Sequence, residues 1–283
     1  MASFTNFATL SYNGGTTNSN IVTGEILEAL TAVKTAVSAN YSAGDRITYA
    51  LSLVNTGTAA ITDYTVTDNL GGYTVGANTV YPLAYNAGTV RYYINGVLQA
   101  APTVTAGPPL TVTGLTVPAG GSAVLIYETT ATPVAPLATG SSITNTATIT
   151  GGGLTTPITA QATVETANSA DLTISKALSP TTVTENGQIT YTFVISNTGN
   201  TEATATGNVV VTDTFAPILR NIAVTYNGTA WTEGTNYTYN AATGVFTTLA
   251  GQITVPAATF TQNTDGTFTV TPGTAKLVIT GTV

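Results

Sequence analysis

The chain has 283 residues, of which 43% are hydrophobic and only 7% charged, with a formal net charge of −7. This length accommodates two domains of ordinary size, and the balance excludes a disordered tail, which needs low hydrophobicity and high charge, as well as the charge-rich composition of a typical cytosolic enzyme. The net charge comes from scarce Lys and Arg rather than from an acidic run, so neither nucleic acid nor an anionic membrane is expected as a partner.

The opening residues, MASFTNFATLSYNGG, have no basic n-region and no long apolar stretch, so they do not read as a secretory signal. No run reaches the length of a membrane span, and the retained Met argues against a leader already removed. The protein is therefore expected either to stay inside the cell or to be assembled inside and exposed later. Within this segment FTNFATLSYNGG, residues 4–15, reads as a second copy of ITNTATITGGG, residues 143–153. Phe4, Asn6, Ala8 and Leu10 match Ile143, Asn145, Ala147 and Ile149, each 139 residues apart. Next comes GEILEALTAVKTA from Gly24, whose first part has the propensity for a short amphipathic helix.

Beyond it, β-branched and aromatic residues alternate and are punctuated by Asn-Gly, Gly-Gly and Pro-Ala-Gly turns, which makes the chain all-β. VKTAVSANYSAGDRITYALSLVNTG from Val33 matches ISKALSPTTVTENGQITYTFVISNTG from Ile174. Lys34 and Lys176, Tyr49 and Tyr191, and Asn55 and Asn197 are each 142 residues apart, the mark of a duplicated domain. The repeat therefore predicts a strand over Thr31–Ala36. YTVTDNL from Tyr64 matches VVVTDTF from Val209 and aligns Asp68 with Asp213. Both copies then pass through an Asn-Gly hairpin, Asn95-Gly96 and Asn227-Gly228. The late strand GGSAVLIYETTA from Gly120 corresponds to GTAKLVITGTV from Gly273. The first copy continues into SSITNTATITGGGLTTPITAQATVE, a hairpin that the second copy lacks before Val283.

These segments divide the chain into a hairpin and linker at 1–29, a first β-sandwich at 30–166 and a second, incomplete one at 167–283. The strings DLTISK at Asp171, ITYTFVISNTG at Ile189, VVVTDTF at Val209 and NTATI at Asn145 resemble the β-sandwich repeat known as domain of unknown function eleven. The resemblance implies an Ig-like sandwich in a bacterial surface protein or a clostridial spore appendage.

A sandwich missing two strands exposes unpaired backbone groups beside an apolar groove, and an added strand satisfies both. The expected donor is the N-terminal hairpin, with Phe4, Asn6, Ala8, Leu10 and Tyr12 on one face. Donor and acceptor lie at opposite ends, so the contact is heterologous and open filaments follow: an extracellular homopolymer, by analogy a spore-surface appendage. A hairpin folded back onto its own second domain, a closed ring, or an acceptor groove that takes a different partner are the other readings.

Three polar residues fall at inward positions of alternating strands: Lys34 or Lys176, Asp68 or Asp213, and Asn145, for which Asn6 is the copy. The chain has only three Lys, and a charged Lys left unpaired in a core is costly. The trio resembles the self-formed isopeptide bonds of Gram-positive surface adhesins. In an apolar pocket an amine pKa falls and a carboxyl pKa rises, so a neutral Lys can attack an Asn carboxamide polarised by the protonated Asp, releasing ammonia. Lys34, Asp68 and Asn145 would close within the chain; Lys176 and Asp213 would close onto Asn6 of the next subunit. A buried ion pair hydrogen-bonded to Asn, or Lys side chains that reach solvent through strand twist, are the plain alternatives.

Other chemistry has less support. Trp231 with Tyr226, Tyr237 and Tyr239 suggests a carbohydrate-binding platform, and so a binding module or adhesin that acts without polymerising. Such aromatics also commonly cover a hairpin. Cys and His are absent, which removes disulfides, thiolate nucleophiles, zinc sites and imidazole triads. Asp63 and Asp68 signal no paired acid chemistry, no Asp cluster signals calcium, and Gly151–Gly153 lacks the context of a phosphate loop. No enzyme activity, cofactor, metal or small-molecule substrate is expected.

Overall fold

The computed structural model describes residues 2–26 and 29–283. Among these, regular structure is all strand apart from one 3-10 turn, Ala205–Gly207. The helical alternative from Gly24 is corrected: Val22–Ile26 is a strand paired with Ala2–Asn6, residues 27–28 lie outside the described residues, and Leu30–Ala36 is a strand. Helix propensity loses here to cross-strand packing. The Phe4 ring lies over Gly24, where an added Cβ would come within 2.4 Å of it.

The hairpin departs from the single strand expected over Phe4–Tyr12. Ala2–Asn6 pairs with Val22–Ile26, and Thr9–Tyr12 pairs with Gly15–Asn18. Between them two residues, Phe7 and Ala8, stand opposite three, Ser19 to Ile21, so the ladder carries a bulge. There the Ala8 N–H donates to Ser19 Oγ at 2.9 Å. Phe4 and Asn6 thus share one piece of strand, Leu10 and Tyr12 the other, and Ala8 belongs to neither. Phe4, Phe7, Leu10, Tyr12 and Ile21 are all more than half exposed.

The chain divides into two compact units, residues 1–135 with 142–165, and 136–141 with 166–283. In the first, two antiparallel sheets face each other. One runs Val97–Leu98, Arg91–Ile94, Ser122–Ala131, Arg46–Asn55, Leu30–Ala36; the other runs Thr103–Thr105, Leu110–Val117, Ile61–Asp68, Ser142–Gly151, Ile158–Thr166, Asn40–Tyr41. Alternation places Ile47, Tyr49, Leu51 and Leu53 of one sheet against Tyr64, Val66, Ile143 and Ile149 of the other, all buried. Gly114, at φ +75°, sits in a bulge between Val112 and Leu115, and the shift returns Leu115 to the core.

The second unit repeats the first sheet as Leu172–Ser179, Gln188–Asn197, Gly273–Thr282, Arg220–Tyr226, Thr229–Trp231. Its other sheet has three strands only: Thr212–Thr214, Val245–Thr248, Tyr237–Asn240. Its core holds Tyr191, Phe193, Phe215, Phe246 and Leu277.

The duplication extends to individual hydrogen bonds. Buried Asn55 donates from Nδ2 to the carbonyls of Ala59, Val117 and Pro118 and accepts from the Gly57 N–H. Asn197 does the same with Thr201, Val255, Pro256 and Gly199. Each clamp fastens the end of a central strand to a facing loop. Asn55→Ala strands three carbonyls and one N–H, so the first unit is expected to lose about 2–4 kcal/mol of stability, read as a lowered urea midpoint; Asn197→Ala has the matching effect on the second unit.

Candidate covalent site

The first site is assembled across the two sheets of the first unit. Lys34 stands on the edge strand Leu30–Ala36, opposite Leu51, and its alternation turns it inward with Leu30. Asp68 ends the facing strand Ile61–Asp68, where it pairs with Ala147 of the Asn145 strand. Asn145 is two residues from that partner, on the same face, the diagonal spacing at which side chains of neighbouring strands meet. All three are buried: Lys34 is 4% exposed, Asp68 1% and Asn145 0%.

Lys34 Nζ lies 2.5 Å from Asp68 Oδ2. The same oxygen accepts the Tyr127 hydroxyl, while Asp68 Oδ1 accepts the Leu70 N–H at 3.0 Å. The ammonium also lies over the Tyr49 ring, 4.8 Å from its centroid, and near Tyr127 at 5.8 Å. Burial pushes the Lys34 amine down to about 8, with Asp68 pulling the other way. Burial likewise pushes the Tyr49 and Tyr127 phenols up, with the Asp68 charge adding to it. The Asn145 carboxamide draws both phenols back slightly, yet neither of its polar atoms makes a hydrogen bond. Leaving such buried groups unpaired costs roughly 1–3 kcal/mol each. The pocket therefore holds an amine of lowered basicity, a carboxyl fixed by three donors and an amide without partners.

The second site has two of these members. Lys176 Nζ is 2.5 Å from Asp213 Oδ2 and lies over Tyr191, Phe193 and Phe215, 4.5, 5.4 and 5.6 Å from their centroids. Its side chain is 41% exposed where that of Lys34 is 0%. The Asp213 strand pairs with Val245–Thr248, and no described strand of this unit takes the place that Ser142–Gly151 holds beside Asp68. An open, mainly apolar cleft is lined by Leu172, Ile174, Ile195, Val209 and Val211, residues that precede Lys176 and Asp213 in the chain. Asn6, the residue expected to supply the third member, is exposed on the N-terminal ribbon opposite Val22.

Tyr49 enters the sequence pattern only as the repeat partner of Tyr191, and Tyr127 only as one residue of the late strand. The available signal is parity: in SAVLIYETTA every second residue from Ala123 faces inward, which places the Tyr127 hydroxyl in the core. The aromatic platform is corrected. Tyr226 is buried, stacks on Trp231 at 4.8 Å and hydrogen-bonds to Thr254, while Tyr237 packs on Phe246 and Tyr239 on Phe215. These rings serve the core and its rim, and they form no shared exposed face.

No protein-family model and no curated protein matches the chain. Among solved structures it is similar to the major pilin subunit of Bacillus cereus, at 15% identity over 96% of this chain and 73% of that one, with a TM-score of 0.35. It is also similar to the pilus backbone from Streptococcus pneumoniae, at 14% identity over 86% of this chain and 55% of that one, TM-score 0.36. A third is the collagen-binding domain from a Staphylococcus aureus adhesin, at 11% identity over 49% and 99%, TM-score 0.30.

The unreacted first site fixes a pH signature. Because Lys34 titrates near 8 when folded and 10.5 when unfolded, the unfolded state binds the proton first, and stability is lost as pH falls from about 10.5 to about 8. The buried phenols act oppositely, since unfolded tyrosines ionise above their ordinary 10.0 while Tyr49, Tyr64 and Tyr127 stay protonated. Asn145→Ala protein, which cannot form an amide, is therefore expected to show rising urea midpoints for its first unit from about pH 8 to about pH 10 and a fall above that. Adding Lys34→Met should flatten the rising limb.

Proposed function

We propose that the chain is a structural subunit of a self-assembling extracellular filament, joined head to tail by donation of the N-terminal ribbon to the second unit of a neighbour. The observation that carries this reading is the pairing of Asp213's strand on one side only, where Asp68's strand has the Asn145 strand on its other side, together with an apolar cleft lined by Leu172, Ile174, Ile195, Val209 and Val211, residues that precede Lys176 and Asp213. The chain also holds a segment of matching pattern, Phe4–Tyr12, whose apolar side chains are exposed. Docked in the register of the first unit, Ala8 stands opposite Asp213 as Ala147 stands opposite Asp68, and Asn6 arrives where Asn145 would be. The bulge at Phe7–Ala8 straightens on docking. Burying Phe4, Leu10 and part of Tyr12 contributes roughly 1.5–3 kcal/mol per large apolar side chain, and the new ladder sets direction.

The lysines then act as nucleophiles. Lys Nζ attacks Asn Cγ, the C–N bond forms, the Cγ–Nδ2 bond breaks, and the amine proton passes through the Asp carboxyl to the departing ammonia. Lys34 closes on Asn145 within the chain, and Lys176 on Asn6 of the next subunit. The unpartnered Asn145 amide beside the Lys34–Asp68 pair supports the first bond. The setting that fits a fibre of this kind is an extracellular surface appendage, by family resemblance that of a spore.

Deleting residues 2–26 is expected to abolish filaments in electron micrographs while both units still fold; normal filaments from that deletion would refute strand donation. Lys176→Ala is expected to keep filaments but turn a ladder that survives boiling in detergent into monomers. Intact mass is the parallel check, with one ammonia lost per bond.

A further inference from the structure

Among the buried side chains in which the two sites differ, one faces the carboxyl. Tyr127 pairs with Tyr49 across the central strands of the first unit, and in the second unit the residue paired with Tyr191 is Ile279. Tyr49 and Tyr191 are repeat equivalents, as are Leu125 and Leu277 by their place two residues before, so Ile279 occupies the position of Tyr127. Both are buried, Tyr127 at 1% and Ile279 at 0%. The consequence falls on the carboxyl. Asp68 Oδ2 takes both the ammonium and the Tyr127 hydroxyl, whereas Asp213 Oδ2 takes Lys176 and its Oδ1 takes the N–H of the adjacent Thr214 at 2.9 Å. Ile279 has no donor to offer.

We infer that Tyr127 is the positioning residue that holds Asp68 for proton transfer from Lys34 to the leaving amide nitrogen, and that Ile279 makes the second site intrinsically slower. This rests on the amide-bond reading above. The hydroxyl is itself neither nucleophile nor proton carrier. It fixes the oxygen that receives the lysine proton, so the carboxyl does not have to reorient as the amine attacks, and a misplacement of about 1 Å in such a group can cost about a hundredfold in rate. The order of bonds follows. The first unit closes while a subunit is still free, because amine, carboxyl, donor and amide are already in one pocket. The second site combines an exposed amine with a carboxyl lacking the hydroxyl, so it discriminates against loosely held amides and reacts when a docked strand keeps its Asn in place.

The test follows ammonia loss by intact mass in full chains made by cell-free translation. Wild type is expected to complete the first bond, and Tyr127→Phe, which keeps the ring and removes only the oxygen, to complete it about 100-fold more slowly. Its pH profile is expected to move as well; a tyrosine that only filled space would lower the melting temperature and leave the profile in place. In the gain direction, Ile279→Tyr is expected to speed capture of a synthetic peptide of residues 2–18 by Lys176. Equal rates for wild type and Tyr127→Phe, or no gain from Ile279→Tyr, would overturn the inference while leaving the amide bond standing. A wild-type chain that never loses ammonia would overturn both.

Discussion

The contact on which the first unit turns is a charge pair placed in the middle of its core. Lys34 and Asp68 come from opposite sheets and meet at 2.5 Å with almost no solvent exposure. Taking two charges out of water costs several kcal/mol per ion even after relaxation, and their attraction repays this only when geometry and further hydrogen bonds are good. Tyr127 and the Leu70 N–H supply those bonds to the carboxyl, and two aromatic faces supply the ammonium. Asn145 shares none of this. A core designed only for stability would fill the space with aliphatic side chains. Under the proposed bonding, conversion of amine and carboxamide to a secondary amide would change the balance: the buried ammonium would disappear, and the neutral product would present one N–H and one C=O to the carboxyl and phenols around it. On that reading the reactants are the costlier state of this pocket, because they include a buried ammonium and an unpaired carboxamide.

The second unit uses the same frame with its closure left open. Its asparagine clamp, its Tyr226–Thr254 contact and its Lys–Asp pair all have counterparts in the first unit, yet the strand Leu172–Ser179 that carries Lys176 is largely exposed. The difference lies in the facing sheet, which has three strands where the first unit has six. With no described strand on the side of Asp213 away from Val245–Thr248, Ile174 is exposed to solvent, Val209 is only partly buried, and the amine keeps part of its hydration. An amine so placed stays accessible from outside the unit.

Much of this was legible in the residues. Strand content, the 142-residue repeat, the Asn-Gly hairpins and the inward parity of Lys34, Asp68 and Asn145 follow from a period of two and from pairs at fixed spacing. Other features depend on how strands pair, which a single strand's pattern does not encode. The bulge at Phe7–Ala8 arises because the return strand carries one residue more than its partner, and only the register of both arms reveals that. The strand at Val22–Ile26 defeats local helix propensity through the Phe4 ring resting on Gly24, a contact across some twenty residues. Tyr127 reads as one more aromatic in an apolar strand until pairing sets it beside Tyr49 and opposite Asp68. The aromatics around Trp231 looked like a surface because their hairpin is polar, but the sheet turns Tyr226 and Tyr237 into the core.

Bond placement, and not only bond strength, fits a load-bearing fibre. Under the proposed bonding, tension entering a subunit at Asn6 runs along the backbone to Lys34, crosses to Asn145 and continues to Lys176, where it leaves for Asn6 of the next subunit. The backbone from 35 to 144, which builds most of the first sandwich, lies off this line, and so does everything after Lys176 in the second. Force therefore never acts to peel the strands that bury Leu51, Leu125 or Leu277, and the modest free energy of a β-sandwich does not limit the strength of the fibre. The loaded segments are the backbone from Asn6 to Lys34, which includes most of the N-terminal ribbon, and from Asn145 to Lys176, which includes the strand Ile158–Thr166. A lysine on the first strand of each sandwich and an asparagine on its closing strand is the arrangement that leaves the least backbone under load.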